Sequence, residues 1–166
     1  MNFRNRICQT LHDEHVATIA LMERLEQAFA RYRKNAPDAK DPVVAQLLAD
    51  LAIGIEGELA RHFDFEEEQL FSYLSAAGDE AIGAHLTGEH AVIRPLGAAL
   101  VKLIGEIRAQ GFDAARWNEF RQLGQELSER LVGHAQKEEM ALLPMLDEMM
   151  EPEIEAQLYE KYVETA

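Results

Sequence analysis

The chain has 166 residues, 48% of them hydrophobic, with 30 acidic side chains against 16 Lys and Arg and a formal net charge of −14. This length and apolar content fit one folded domain with its own core and exclude a disordered chain. The acidity argues against nucleic acid, whose binders neutralise phosphates, and against an anionic membrane surface.

Glycine and proline are sparse and strict alternation is missing, so the chain reads as nearly all helix. A first helix is expected from about Phe3 to Lys34, broken by Asn35-Ala36-Pro37-Asp38-Ala39-Lys40. Asp41-Pro42 restarts it, with Asp as N-cap and Pro in the first turn. The second helix continues to about Ala76, where Ala77-Gly78-Asp79 ends it. The third spans about Glu80 to Gln110 and contains Pro95, which is expected to kink it. After Gly111-Phe112, Asp113 caps a fourth helix reaching about Met150, and Glu151-Pro152 opens a short fifth one to about Glu164. Leu47, Leu48, Leu51, Ile55 and Leu59 share one helical face. The expected fold is all-α, an up-down-up-down four-helix bundle over residues 1–150 with a short C-terminal helix over 151–166 appended to it.

The lone cysteine, Cys8, cannot make an internal disulfide. No apolar run approaches the about 18 residues of a membrane span. No apolar stretch follows Met1-Asn2-Phe3-Arg4-Asn5-Arg6 as it would in a secretory leader, so a cytoplasmic location is expected.

The chain also repeats itself. Leu11-His12-Asp13-Glu14-His15 matches Leu86-Thr87-Gly88-Glu89-His90 in its Leu, Glu and last His, 75 residues apart. His62, Glu66, Glu67 and Leu70 match His134, Glu138, Glu139 and Leu142, 72 residues apart. Each half therefore offers one histidine from its first helix and His-x-x-x-Glu from its second. Positions i and i+4 lie about 40° apart on a helix, so each His and its Glu point the same way. Four imidazoles and two carboxylates brought together inside a bundle would be costly without compensation. Two cations would compensate them, the carboxylates bridging and the imidazoles capping. Mixed nitrogen and oxygen donors suit iron, and also manganese or zinc. Closed structural zinc sites favour thiolates, which are missing here.

In these motifs the chain resembles the haemerythrin-like (HHE cation-binding) family. Glu14-His15, His62-x-x-x-Glu66, Glu89-His90 and His134-x-x-x-Glu138 stand in the family's order, one motif per helix, over roughly the whole chain up to Met150. The resemblance implies a centre of two non-haem irons, with His15, His62, His90 and His134 as terminal ligands and Glu66 and Glu138 as bridges. It also implies a protein that binds or reacts with oxygen or nitric oxide, in sensing, scavenging or stress protection. The oxygen-carrying members resemble this chain but use a fifth histidine one turn before the third-helix ligand, where Leu86 stands here. That departure favours chemistry or sensing at an open centre over plain oxygen carriage. The alternatives are iron–sulfur cluster repair or a peroxidase-like enzyme, either needing an electron donor, and a metal-gated partner-binding module using the fifth helix. Long helices permit a homodimer without requiring one.

The neighbouring residues have simpler readings beside the functional ones. His12 is a spare ligand, a donor behind His15 or, most simply, an exposed or capping histidine. His85 lies about 140° round the helix from His90 and reads as a surface side chain. Glu67, Glu68 and Glu139 read as solvated neighbours of the bridging carboxylates. Cys8, two turns before His15, is by default a buried reduced thiol. Phe63, Phe65, Phe71, Tyr73 and Met145 read as core that also lines the approach to the site. Trp117 and Phe120 read as an anchor at one end of the bundle.

Overall fold

The structure is a computed structural model that describes residues 2–166, the side chain of Glu58 apart. Four helical rods form a bundle. α1 is Arg6–Arg31. The second rod, α2, comprises Pro42–Ile53, a π-helical stretch Gly54–Leu59, Ala60–Phe65, a second π stretch Glu66–Leu70, and Phe71–Ala76. α3 is Ala81–Gln110. The fourth rod, α4, comprises Ala114–Lys137, a π stretch Glu138–Leu142, and Leu143–Met149. A fifth helix, α5, spans Pro152–Glu164 and packs against α1. Each rod packs on its sequence neighbours and α4 closes on α1. No strand occurs among the described residues, and no helix there is long and apolar enough to cross a membrane.

The local signals act as their chemistry requires. The Asp41 carboxylate accepts from the Val43 and Val44 N–H groups, and Asp113 accepts from the Arg116 N–H. Gly78 and Gly111 turn the chain at φ 96° and 83°, where a side chain would be strained. α3 continues as one helix through Pro95. α1 starts three residues later than expected. Asn5 is extended because its N–H donates to Asp147 Oδ1 at 2.7 Å and its side-chain amide donates to the Leu146 carbonyl at 3.2 Å.

The core is divided in two. One apolar cluster, including Met22, Leu25, Leu51, Ile93, Leu100 and Leu127, fills one end of the bundle. There Trp117 and Phe120 stack on each other and meet Phe29 and Phe112 edge-on, which makes the anticipated aromatic anchor. The other cluster, including Ile7, Leu11, Leu74, Leu86, Leu146 and Tyr162, fills the opposite end. In each rod a polar step lies between an apolar residue of one cluster and one of the other. Leu11, His15 and Met22 show it in α1, and Leu86, His90 and Ile93 in α3. The buried polar groups thus form one layer across the bundle.

Candidate metal centre

That layer contains His15, His62, Glu66, His90, His134 and Glu138, all buried, with Glu66, His90 and Glu138 fully so. The donor atoms of His15, His62, Glu66 and Glu138 lie within 4.8 Å of one another, as do those of Glu66, His90, His134 and Glu138. The two groups share both glutamates. The structure therefore brings together all six residues singled out in the sequence.

The inner atoms crowd together and leave three carboxylate oxygens unmatched. His15 Nε2 faces His62 Nε2 at 3.2 Å, and His90 Nε2 faces His134 Nε2 at 3.0 Å. Both oxygens of Glu66 and Oε1 of Glu138 have no hydrogen-bond partner among the described residues. Such groups are expensive to bury. Burial pushes the Glu138 carboxyl up, but the imidazoles of His134, His15 and His62 around it hold it well below the usual carboxylate range. Burial pushes the His62 imidazolium down, but the Glu66 charge, the nearby Glu138 carboxylate and the hydrogen bond to Glu14 raise it well above its ordinary value. His134 is likewise raised, burial being outweighed by Glu138 and Glu89.

The outer ring atoms explain why the Nε2 atoms are available. His62 Nδ1 lies 2.7 Å from Glu14, His134 Nδ1 2.8 Å from Glu89, and His15 Nδ1 2.6 Å from Glu139. An ionised carboxylate only accepts, so each Nδ1 carries a proton, which leaves the inward Nε2 as the ring atom that can give up its proton to a cation. The repeat thus extends to outer carboxylates. Glu14 and Glu89 correspond across the halves, and so do Glu67 and Glu139. Glu67 is the exception in geometry: it pairs with Arg94 and lies 3.6 Å from His90 Nδ1, which has no hydrogen bond.

Several readings need correction. Glu139 is not a solvated neighbour, because its carboxylate joins His12 Nδ1 at 2.8 Å to His15. Glu67 is likewise engaged, whereas Glu68 is exposed. His12 takes the reading of a group behind His15. His85 is mostly exposed, 3.6 Å from Glu89. Cys8 is a fully buried thiol in the far apolar cluster and belongs to neither donor group.

The π stretches were not anticipated. Glu66 and Glu138 each open one, with the N–H of Phe71 and of Leu143 reaching back five residues to their carbonyls. Such wide turns often occur at functional sites. Their signal was in the repeat. Glu66-Leu70-Phe71-Leu74 and Glu138-Leu142-Leu143-Leu146 place apolar residues at +4, +5 and +8, and all of these are buried. In a plain α-helix the +5 residue would point about 140° away. One extra residue per turn brings it back to the core.

A cavity of about 320 Å³ leads from the surface at Asp13, Thr18 and Arg61 to His15, His62 and His134. The Phe63 ring stacks on His90, with centroids 3.7 Å apart, and covers that histidine.

The family model of the hemerythrin HHE cation binding domain matches residues 6–146. No curated protein matches the chain.

Proposed function

This chain belongs to the haemerythrin HHE cation-binding family, and on that premise we propose that its bundle holds two iron ions and binds or reacts with oxygen or nitric oxide. The observation that carries this is the pair of buried two-His, two-Glu donor groups sharing Glu66 and Glu138, three of whose four oxygens lack a hydrogen-bond partner among the described residues. Cations fit there. They would take the place of the protons crowded between the Nε2 atoms and compensate two fully buried carboxylates. His15 and His62 would cap one ion and His90 and His134 the other, with Glu66 and Glu138 between them. The 1–150 bundle is then the metal-binding unit.

A ferrous pair, when bound, supplies reducing electrons and coordination positions left open by the protein. Each donor group offers four side chains, fewer than the six ligands iron commonly takes. The chain's residues do the rest. Glu14, Glu89 and Glu139 hold protons on the outer nitrogens of His62, His134 and His15, which fixes ring orientation and tautomer. The cavity past Thr18 admits a small neutral molecule as far as three of the histidines. The apolar clusters on either side keep bulk water from the layer. Sensing, scavenging or protection follows as the role.

Elemental analysis and absorption spectra of freshly purified protein test this reading. About two irons per chain, with a spectral change when the reduced protein meets oxygen or nitric oxide, are expected. A protein that takes up no iron, or whose iron spectrum ignores both gases, overturns it.

A further inference from the structure

Tyr162 lies in α5, beyond the segment that matches the family. It is buried in the bundle, 1% exposed. Its hydroxyl sits 2.6 Å and 2.5 Å from the two oxygens of Glu14 and donates to that carboxylate. Glu14 in turn accepts from His62 Nδ1 at 2.7 Å. Its surroundings pin the tyrosine. The Arg61 guanidinium lies 4.0 Å over the Tyr162 ring and donates to the Tyr162 carbonyl at 2.8 Å. The Phe65 ring packs 4.5 Å from it. In the second half of the repeat, the outer partner of Glu89 is Lys137 from the bundle itself. Among the described residues, only the His62 side recruits a residue from the appended helix.

From this hydrogen-bonded chain we infer that Tyr162 is a positioning residue for the metal centre, acting through Glu14 on His62, and that α5 docking and metal binding strengthen each other. The inference rests on the reading of His62 as a ligand. The hydroxyl fixes the Glu14 carboxylate, and Glu14 fixes the His62 ring with Nε2 inward. Without the hydroxyl the carboxylate keeps only the Arg61 guanidinium, 3.7 Å away, besides His62, and part of the orientation of His62 is lost. Coupling between two binding events is reciprocal. If a docked α5 tightens metal binding, bound metal must tighten α5 by the same factor. The appended helix then changes its docking strength with metal occupancy.

The test uses the full chain, freed of metal and titrated with cobalt(II) as a spectroscopic probe. Tyr162→Phe keeps the ring against Arg61 and Phe65 and removes only the hydroxyl. It should weaken cobalt binding about 5-fold, less than the roughly 10- to 100-fold typical when a direct outer partner such as Glu14 is replaced. In a Glu14→Gln background the Tyr162→Phe penalty should vanish, because the route to His62 is already cut. Hydrogen exchange supplies the reverse reading. Cobalt should slow exchange across residues 152–164 in the wild type and much less in Tyr162→Phe. Glu14→Gln, with Tyr162 intact, should lose that slowing too, which keeps the test decisive if Tyr162→Phe folds poorly. Wild-type affinity in Tyr162→Phe, an undiminished penalty in the Glu14→Gln background, or equal exchange with and without cobalt overturns the inference. A wild type that takes up no cobalt overturns the metal reading and this one together, and the wild-type titration alone tells those cases apart.

Discussion

Arg94 holds Glu67 away from His90. Its guanidinium pairs with the Glu67 carboxylate and, at 2.9 Å, with Asp64, leaving His90 Nδ1 3.6 Å from the nearest Glu67 oxygen. The corresponding partner in the other half, Glu139, reaches His15 Nδ1 at 2.6 Å. The two donor groups are therefore unlike, although the sequence behind them repeats.

Arg94→Gln should release Glu67 to accept from His90. Its expected effect is a tighter second metal equivalent, by up to the roughly 10-fold scale of outer-partner effects. Cobalt(II) titration of the metal-free protein resolves this as two steps in the wild type that draw together in the variant. Two steps spaced as in the wild type would remove the role assigned to Arg94.

Glu66 is fully buried, and neither of its oxygens has a hydrogen-bond partner among the described residues. Its charge faces the buried His62 imidazole, and removing one partner of a buried ion pair is strongly destabilising. The metal-free Glu66→Leu protein should therefore resist urea less than the metal-free wild type, by up to about 3–5 kcal/mol. It should also fail to gain the added stability that bound metal gives the wild type. Metal-dependent stabilisation of Glu66→Leu equal to that of the wild type would show that Glu66 is no ligand. His62→Ala and Glu138→Ala should likewise lose most bound iron while remaining helical by circular dichroism.

Cys8 is fully buried, with Sγ 3.7 Å from the Leu143 carbonyl oxygen. Burial pushes its thiol up from 9.0 to about 12, and the Asp147 charge adds to the rise. The unfolded chain therefore loses this proton at lower pH than the folded one. The contribution to stability is complete below about pH 9 and is lost as pH rises toward about 12. The stability difference between wild type and Cys8→Ala should shrink across that window, measured by denaturant melts. At pH 8 a thiol reagent should label Cys8 only after unfolding, and rapid labelling of the native protein would contradict the buried placement.

Two helix glycines should respond in opposite directions to alanine. A Cβ at Gly124 would lie 2.6 Å from Phe29 Cζ, and that ring is confined by Trp117 and Phe120. Gly124→Ala should therefore cost about 1–3 kcal/mol through overpacking. Gly105 in α3 has nothing within 4 Å of the same position. Gly105→Ala should add about 0.5–1 kcal/mol through helix propensity alone. Thermal melts of both variants check the contrast, and equal shifts would mean that the close approach at Gly124 is relieved without strain.

Much of the molecule was legible in the chain because local chemistry determines it. Asp41, Asp113, Gly78 and Gly111 set helix ends through caps and left-handed turns, and no distant residue is needed for either. The repeat of His15, His62 and Glu66 in His90, His134 and Glu138 marked a shared polar layer, because His and Glu at i and i+4 must point together. Tertiary structure decided what hydrogen-bonds to that layer. Glu139 reaches His15 from a rod more than a hundred residues away, and Tyr162 reaches Glu14 from an appended helix. No spacing along the chain encodes those distances. The same holds for Arg94, which holds one outer carboxylate away from its histidine while the corresponding carboxylate in the other half binds its own. Periodicity fixes which face a side chain occupies, whereas hydrogen bonds between rods depend on how the rods are placed in space.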